Sequence, residues 1–258
     1  MSTAFIPSKI RHTAERKLRA KSHQEKVMLP LITKLVLLGL CVFASFANAE
    51  RVELTLSDHS TLGVYLLFPQ ETGPAKAPLV ILMSGGSGEE AIARDVQSWL
   101  GEDLAERGWV VAVPVSPNNR SFRGENNRLI PLLIARLQED DRIASGKVLL
   151  AGISNGGMSA LEIATLAPHN YLGVMAVPAL IPRGLDLSPL AGMPVYLRIG
   201  DQDEMGWQDR LEETAAALTT AGALVDADLV FMSPHMFFME WETLEPWLEE
   251  IRTTEEAE

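Results

Sequence analysis

The chain has 258 residues, 47% of them hydrophobic and 22% charged, and a formal net charge of −12. This length and apolar content suit one domain with a sizeable core, and the acidity makes nucleic acid a poor partner because it repels phosphate backbones. The single cysteine, Cys41, lies close to the N-terminus. Beyond it, cysteine nucleophiles, thiolate zinc sites, iron–sulfur clusters and disulfides are excluded.

The first element is read as a targeting segment. Met28 opens a short stretch with one cation, Lys34, followed by an apolar run over 35–46 and by Ala47-Asn48-Ala49. That is the layout of a secretory signal peptide with an A-x-A cleavage site, and the run is short for a bilayer span. Residues 1–27 are basic and read as an extended n-region, or as the product of a start codon placed too early, with Met28 the true start. An uncleaved N-terminal anchor is the competing reading. The expectation is a signal region over 1–49, export to the periplasm or the medium, a single domain over 50–258, and no stable membrane insertion after cleavage. Without 1–49 the chain keeps 14 basic and 32 acidic residues, a net charge of −18.

Residues 51–57 and 61–68 alternate polar and apolar around Asp58-His59-Ser60, which predicts an antiparallel hairpin with one wet face. The pattern then changes to continuous apolar runs at 78–83, 109–113, 147–151, 173–177, 195–199 and 228–232. Such runs predict strands covered on both faces, as in a parallel sheet. Helical periodicity lies between them. It covers 92–106, with Gly101 as a candidate break, and 128–143, with Asn126 or Asn127 as cap and Pro131 in the first turn. It returns over 155–166, over 207–221 with Gly222 at C′, and over 240–251. The stretch 178–192 leaves room for little more than a loop, and 253–258 is expected to fray.

One motif interrupts this series. Gly152-Ile153-Ser154-Asn155-Gly156 reads G-x-S-x-G directly after the 147–151 run and directly before a helix. A serine on a sharp strand-to-helix turn is strained, and its neighbours two residues away must be small. The pentapeptide by itself is common; its flanks make it informative.

A serine hydroxyl needs a base, and the base needs an orienting partner. Three histidines follow residue 49: His59, His169 and His235. His59 lies in the hairpin turn, and His169 lies at the far end of the helix that Ser154 begins. His235 follows the last strand, where the groups of an open sheet's crevice gather. For the acid, Gly200-Asp201-Gln202-Asp203-Glu204 offers two aspartates; Asp203 is the better placed, and Asp201 suits a turn-forming role. The oxyanion donors expected are the backbone N–H of Asn155 and one from Ser84-Gly85-Gly86-Ser87-Gly88, Gly86 before Ser87, and Ser87 is also a candidate for substrate contact. No H-x-x-x-H or H-x-H spacing supports a metal site.

These residues resemble the α/β-hydrolase superfamily, most closely its lidless phospholipase/carboxylesterase-like and dienelactone-hydrolase-like branch, over roughly 77–251. The chain order Ser154, Asp203, His235 is the superfamily order. The resemblance implies a mostly parallel sheet with an antiparallel N-terminal hairpin, helices on both faces and no large lid. It implies a Ser-Asp-His triad, an acyl-enzyme intermediate, a small-molecule ester as substrate and no cofactor. Thioesterase, lysophospholipase, polyester depolymerase and peptidase activities share this machinery, and a non-catalytic binding protein on the same scaffold is the alternative of another class. Ser84 stands where many members have a histidine, and the cysteine nucleophile of true dienelactone hydrolases is missing.

Two further groups are candidates for substrate contact. Arg120, Arg123 and Arg128 cluster in and after the 116–127 loop, and one of them, Arg123 first, is a candidate for an anionic part of the substrate. Pairing with local acids such as Glu125 is the simpler use of these side chains. Met236, beside Phe237, Phe238 and Trp241, is a candidate for an acyl pocket, although such residues at a helix start equally suit the core.

Overall fold

In the computed structural model the described residues are 49–70 and 76–256, and they fall in one compact unit. The signal segment expected over 1–49 lies outside them up to residue 48.

Eight strands form one sheet in the order β1-β2-β4-β3-β5-β6-β7-β8. They are β1 Glu50–Thr55, β2 Thr61–Leu67, β3 Leu79–Met83, β4 Val110–Pro114, β5 Val148–Gly152, β6 Tyr171–Ala176, β7 Pro194–Gly200 and β8 Leu224–Val230. β1 and β2 pair antiparallel, as do β2 and β4; all later pairs are parallel. Every residue of β3, β4, β5 and β6 is buried, as their continuous apolar runs require.

The pleat sends alternate side chains to two separate cores. On one face, Ile81, Ala112 and Leu150 pack with Ile130 and Leu133 of α3 (Leu129–Leu137) and with Leu161 and Ile163 of α4 (Asn155–Leu166); Leu218 of α5 (Leu211–Thr220) joins them. On the other face, Val80, Val111 and Leu149 meet Val96 of α1 (Glu90–Val96), Leu104 of α2 (Glu102–Glu106) and Leu244 and Leu248 of α6 (Trp241–Glu256). Helices therefore cover both faces, which is the expected class.

Four local readings change. The 92–106 helix does not break at Gly101; α1 passes into α2 through a π-helical turn, Gln97–Gly101. The helix expected over 128–143 ends at Leu137, because Ala77 bonds to Arg142 O and accepts from Ala144 N, which draws that stretch into a bridge beside the sheet. Neither Asn126 nor Asn127 caps it; their side-chain amides donate to Asn118, Arg120 and Ser121 and to Glu162. Of the tail expected to fray over 253–258, the described part continues α6 to Glu256, with Thr253 Oγ1 bonded to the carbonyls of Glu249 and Glu250.

The last strand differs most. It runs over Leu224–Val230 and not over 228–232, and its residues alternate in exposure. It is an edge strand, so it keeps a wet face, and a continuous apolar run is not what marks it. Phe231 and Met232 lie beyond it, exposed, with Met232 at φ 52°.

Strand order reverses between β3 and β5. A crevice opens there, beyond the carboxyl ends of the strands. The segments after β3, β5, β7 and β8 carry Gly86, Ser154, Asp203 and His235.

Candidate active site

Ser154 sits between β5 and α4 with φ 55° and ψ −118°, a region L-residues rarely occupy. The turn is held from both sides. Ser154 N–H donates to Pro178 O at 2.7 Å, and Ile153 N–H donates to Met83 O at 3.1 Å. The flanking glycines are required by space. A Cβ at Gly152 would lie 2.2 Å from the carbonyl carbon of Gly156, and one at Gly156 would lie 2.0 Å from Met83 O.

The loop after β3 packs directly on this turn. A Cβ at Gly85 would lie 3.4 Å from Ser154 Cβ. Gly88 N–H closes a turn onto Gly85 O at 3.0 Å, with Gly86 at φ 58°. The Asn155 side chain reaches across, its Nδ2 donating to Gly86 O at 2.9 Å. The backbone amides of Gly86 and Asn155 donate to no described residue. Ser87 is half-buried in the same turn, and its hydroxyl donates to Glu89 Oε2 at 3.2 Å.

His235 and Asp203 meet in the interior. Asp203 Oδ2 lies 2.7 Å from His235 Nδ1, and the two residues are 3% and 7% exposed. The second oxygen of Asp203 accepts from Met205 N–H at 2.7 Å, so both carboxylate oxygens are used. Trp207 packs against the imidazole in a T-shaped arrangement, with centroids 4.8 Å apart at 85°. His235 Nε2 is buried and makes no hydrogen bond to a described residue. The Ser154 hydroxyl makes none either, so no hydrogen bond joins serine and imidazole here. Such contacts commonly tighten only when substrate binds.

Asp201 plays a different part. Its Oδ1 accepts from Ser233 N–H at 3.0 Å, which ties the β7 turn to the loop after β8. Glu204 is exposed, and its Oε2 accepts from His235 N–H at 3.0 Å. That amide bond, aided by the nearby imidazole, holds the Glu204 carboxyl below the usual range. Sequence patterning points to neither Glu204 nor the Asn155 side chain, because each reaches a residue distant in sequence.

His169 lies at the amino end of β6, away from this face, and His59 is exposed in the hairpin turn at φ 67°. Arg123 finds a partner on α4. Its Nε pairs with Glu162 of α4 at 3.3 Å, and Glu162 also accepts from Gly124 N–H and Asn127 Nδ2. Its guanidinium thus fastens the loop to α4. Arg128 pairs with Asp58, so neither arginine uses the local Glu125. Met236 is 47% exposed beside His235, whereas Phe237 is core. Among the described residues, no group of three or more His, Cys, Asp or Glu side chains is placed to hold a metal ion.

No protein-family model and no curated protein sequence matches the chain. Solved structures do match. The dipeptidyl peptidase 4 of Porphyromonas gingivalis aligns with a TM-score of 0.61 at 13% identity, over 81% of this chain and 35% of that one, so this chain spans about a third of that protein's length. DcsB, solved in complex with its substrate analogue, aligns at 0.64 and 12% over 80% of this chain and 99% of that one. Thermogutta terrifontis esterase 2 aligns at 0.56 and 16%, over 82% and 94% respectively. At these identities the likeness is one of fold.

Proposed function

We propose that this chain, built on the α/β-hydrolase fold, is a serine hydrolase that cleaves carboxylic esters through an acyl-enzyme intermediate. The observation that carries the reading is the buried 2.7 Å contact of Asp203 with His235, on the same sheet end as a serine in a strained turn. Ser154 Oγ attacks the ester carbonyl while His235 Nε2 takes its proton. Asp203 keeps the Nδ1 proton in place and stabilises the imidazolium. The negative oxygen forms near the two unused amides, Gly86 and Asn155, whose N–H groups are the preorganised donors. The imidazolium then returns its proton to the departing alkoxide. Water, deprotonated by His235, releases the acid and regenerates the serine.

A small ester with an exposed carbonyl suits a site over which the described residues lay no long helical insertion, and the exposure of Met236 beside His235 supports an acyl contact there. The same chemistry serves thioesters, lysophospholipids, polyesters and peptide bonds, and a substrate panel that includes dipeptide p-nitroanilides separates them. Export belongs to this reading as well; N-terminal sequencing of the secreted or periplasmic protein should begin near residue 50.

Ser154→Ala should abolish hydrolysis of p-nitrophenyl acyl esters and labelling by a fluorophosphonate probe. Full activity in that variant sinks the assignment. A wild-type protein that neither hydrolyses esters nor takes the label is a binding protein on this scaffold.

A further inference from the structure

We infer that Glu204 is a positioning residue for His235, fixing the backbone of the base and placing a negative charge beside it. The inference deepens the serine-hydrolase reading and rests on it. The loop Ser233-Pro234-His235 lies between β8 and α6 and belongs to no strand or helix. Four of its polar groups are met by four consecutive residues of the turn after β7. Ser233 N–H goes to Asp201 Oδ1 at 3.0 Å, Ser233 O accepts from Gln202 N–H at 2.9 Å, His235 Nδ1 meets Asp203 Oδ2 at 2.7 Å, and His235 N–H goes to Glu204 Oε2 at 3.0 Å. This close approach depends on Gly200, where a Cβ would lie 2.1 Å from Pro234 O.

An exposed glutamate gains little from being held in one rotamer, because ordering a long side chain costs entropy. Glu204 is nonetheless held, and by the residue that moves the proton. Two consequences follow from its position. The amide bond anchors the main chain of His235 independently of the Asp203 contact. The carboxylate also lies near an imidazolium that exists only after Nε2 has taken the serine proton, so its charge favours the transition state over the bound substrate. Among the described residues, Asp203 and Glu204 are the titratable groups bonded to His235; Asp201 acts one step away on Ser233, and Trp207 adds an uncharged ring. The effect therefore belongs in kcat and not in KM.

Two variants separate the roles. Glu204→Gln keeps an acceptor oxygen and loses the charge; kcat should fall about two- to fivefold, in the range of exposed charge pairs. Glu204→Ala loses both, and kcat should fall about tenfold, as for loss of one charged hydrogen bond. KM should stay at the wild-type value, Tm should fall by no more than about 4 °C because one exposed amide bond is lost, and fluorophosphonate labelling of Ser154 should slow in the same ratios. The His235 Nδ1–H proton resonance should be sharp in the wild type and broadened in Glu204→Ala. Wild-type kcat and labelling in both variants overturns the inference, as does a rise in KM alone. If the wild-type protein neither turns over nor labels, the hydrolase reading fails on its own. The Nδ1–H resonance then still decides the positioning role, and an unchanged line in Glu204→Ala overturns it.

Discussion

Ser154 is held at φ 55° by its neighbours and not by its own preference. Such a conformation costs on the order of 1–3 kcal/mol and persists only where the surroundings over-determine it. The same economy applies to His235, the proposed base, whose Nδ1 has one buried partner, Asp203. Asp203→Asn keeps the shape and removes the charge, so kcat should fall about 10⁴-fold, as expected when the imidazole loses its orienting carboxylate; a single-turnover assay measures it. Asn155 carries two roles at one position. Its side chain pins Gly86 O, and its N–H is one of the proposed oxyanion donors. Asn155→Ala retains that N–H and releases the Gly86 peptide. We expect kcat to drop about tenfold with little change in KM, because a loosened donor acts on the transition state.

At the scale of elements, the site is a set of strand ends that approach one another where glycine permits. Gly152 and Gly156 let β5 turn into α4, and Gly200 lets β7 meet the loop after β8. Gly200→Ala would drive a Cβ into the carbonyls of Ser233 and Pro234, which are backbone and cannot rotate away. We expect it to cost more than about 3 kcal/mol, in the range of severe steric substitutions, seen as a lost or much lowered unfolding midpoint in urea. Sequence patterning locates the strands of the sheet interior closely, because side chains buried on both faces must be apolar without interruption. It misplaces β8 because an edge strand alternates, and it extends α3 because the backbone bonds of Ala77 to 142–144 are not visible in periodicity.

At the scale of the whole molecule, one sheet separates two cores, and every strand but β1 feeds both. Leu150 is fully buried on the α3–α4 side, and Leu150→Ala should cost about 2–5 kcal/mol, measured by denaturant unfolding. The pH limits of stability follow from a few groups. Asp58, held by Ser60 and Arg128, and Asp140, held by Arg142, each titrate at about 2 in place of 3.8. Their folded values are lowered, so their contribution is present above about pH 4 and is lost as pH falls toward 2. At the alkaline end, burial raises Tyr171 from 10 to about 12. The neutral phenol is the folded form, so stability is retained below pH 10 and declines as pH rises through 12. A Tm profile should fall in both windows, and Tyr171→Phe should flatten the alkaline one.

Much of the site is legible without coordinates. G-x-S-x-G, the glycine loop after β3 and the order Ser154, Asp203, His235 are local patterns, and each sits at a strand end that apolar runs already mark. The fold class follows from the same runs, since only a doubly covered sheet makes them uniformly apolar. Contacts between segments far apart in the chain come from the packed molecule alone. Packing joins Asp203 to His235 and leaves Asp201 as the tie to Ser233. It pairs Arg123 with Glu162, and it joins Glu204 to the His235 amide and the Asn155 side chain to Gly86 O. Periodicity reports which face of an element is buried. The partner that a polar group finds there depends on sheet order and on how closely two backbones approach.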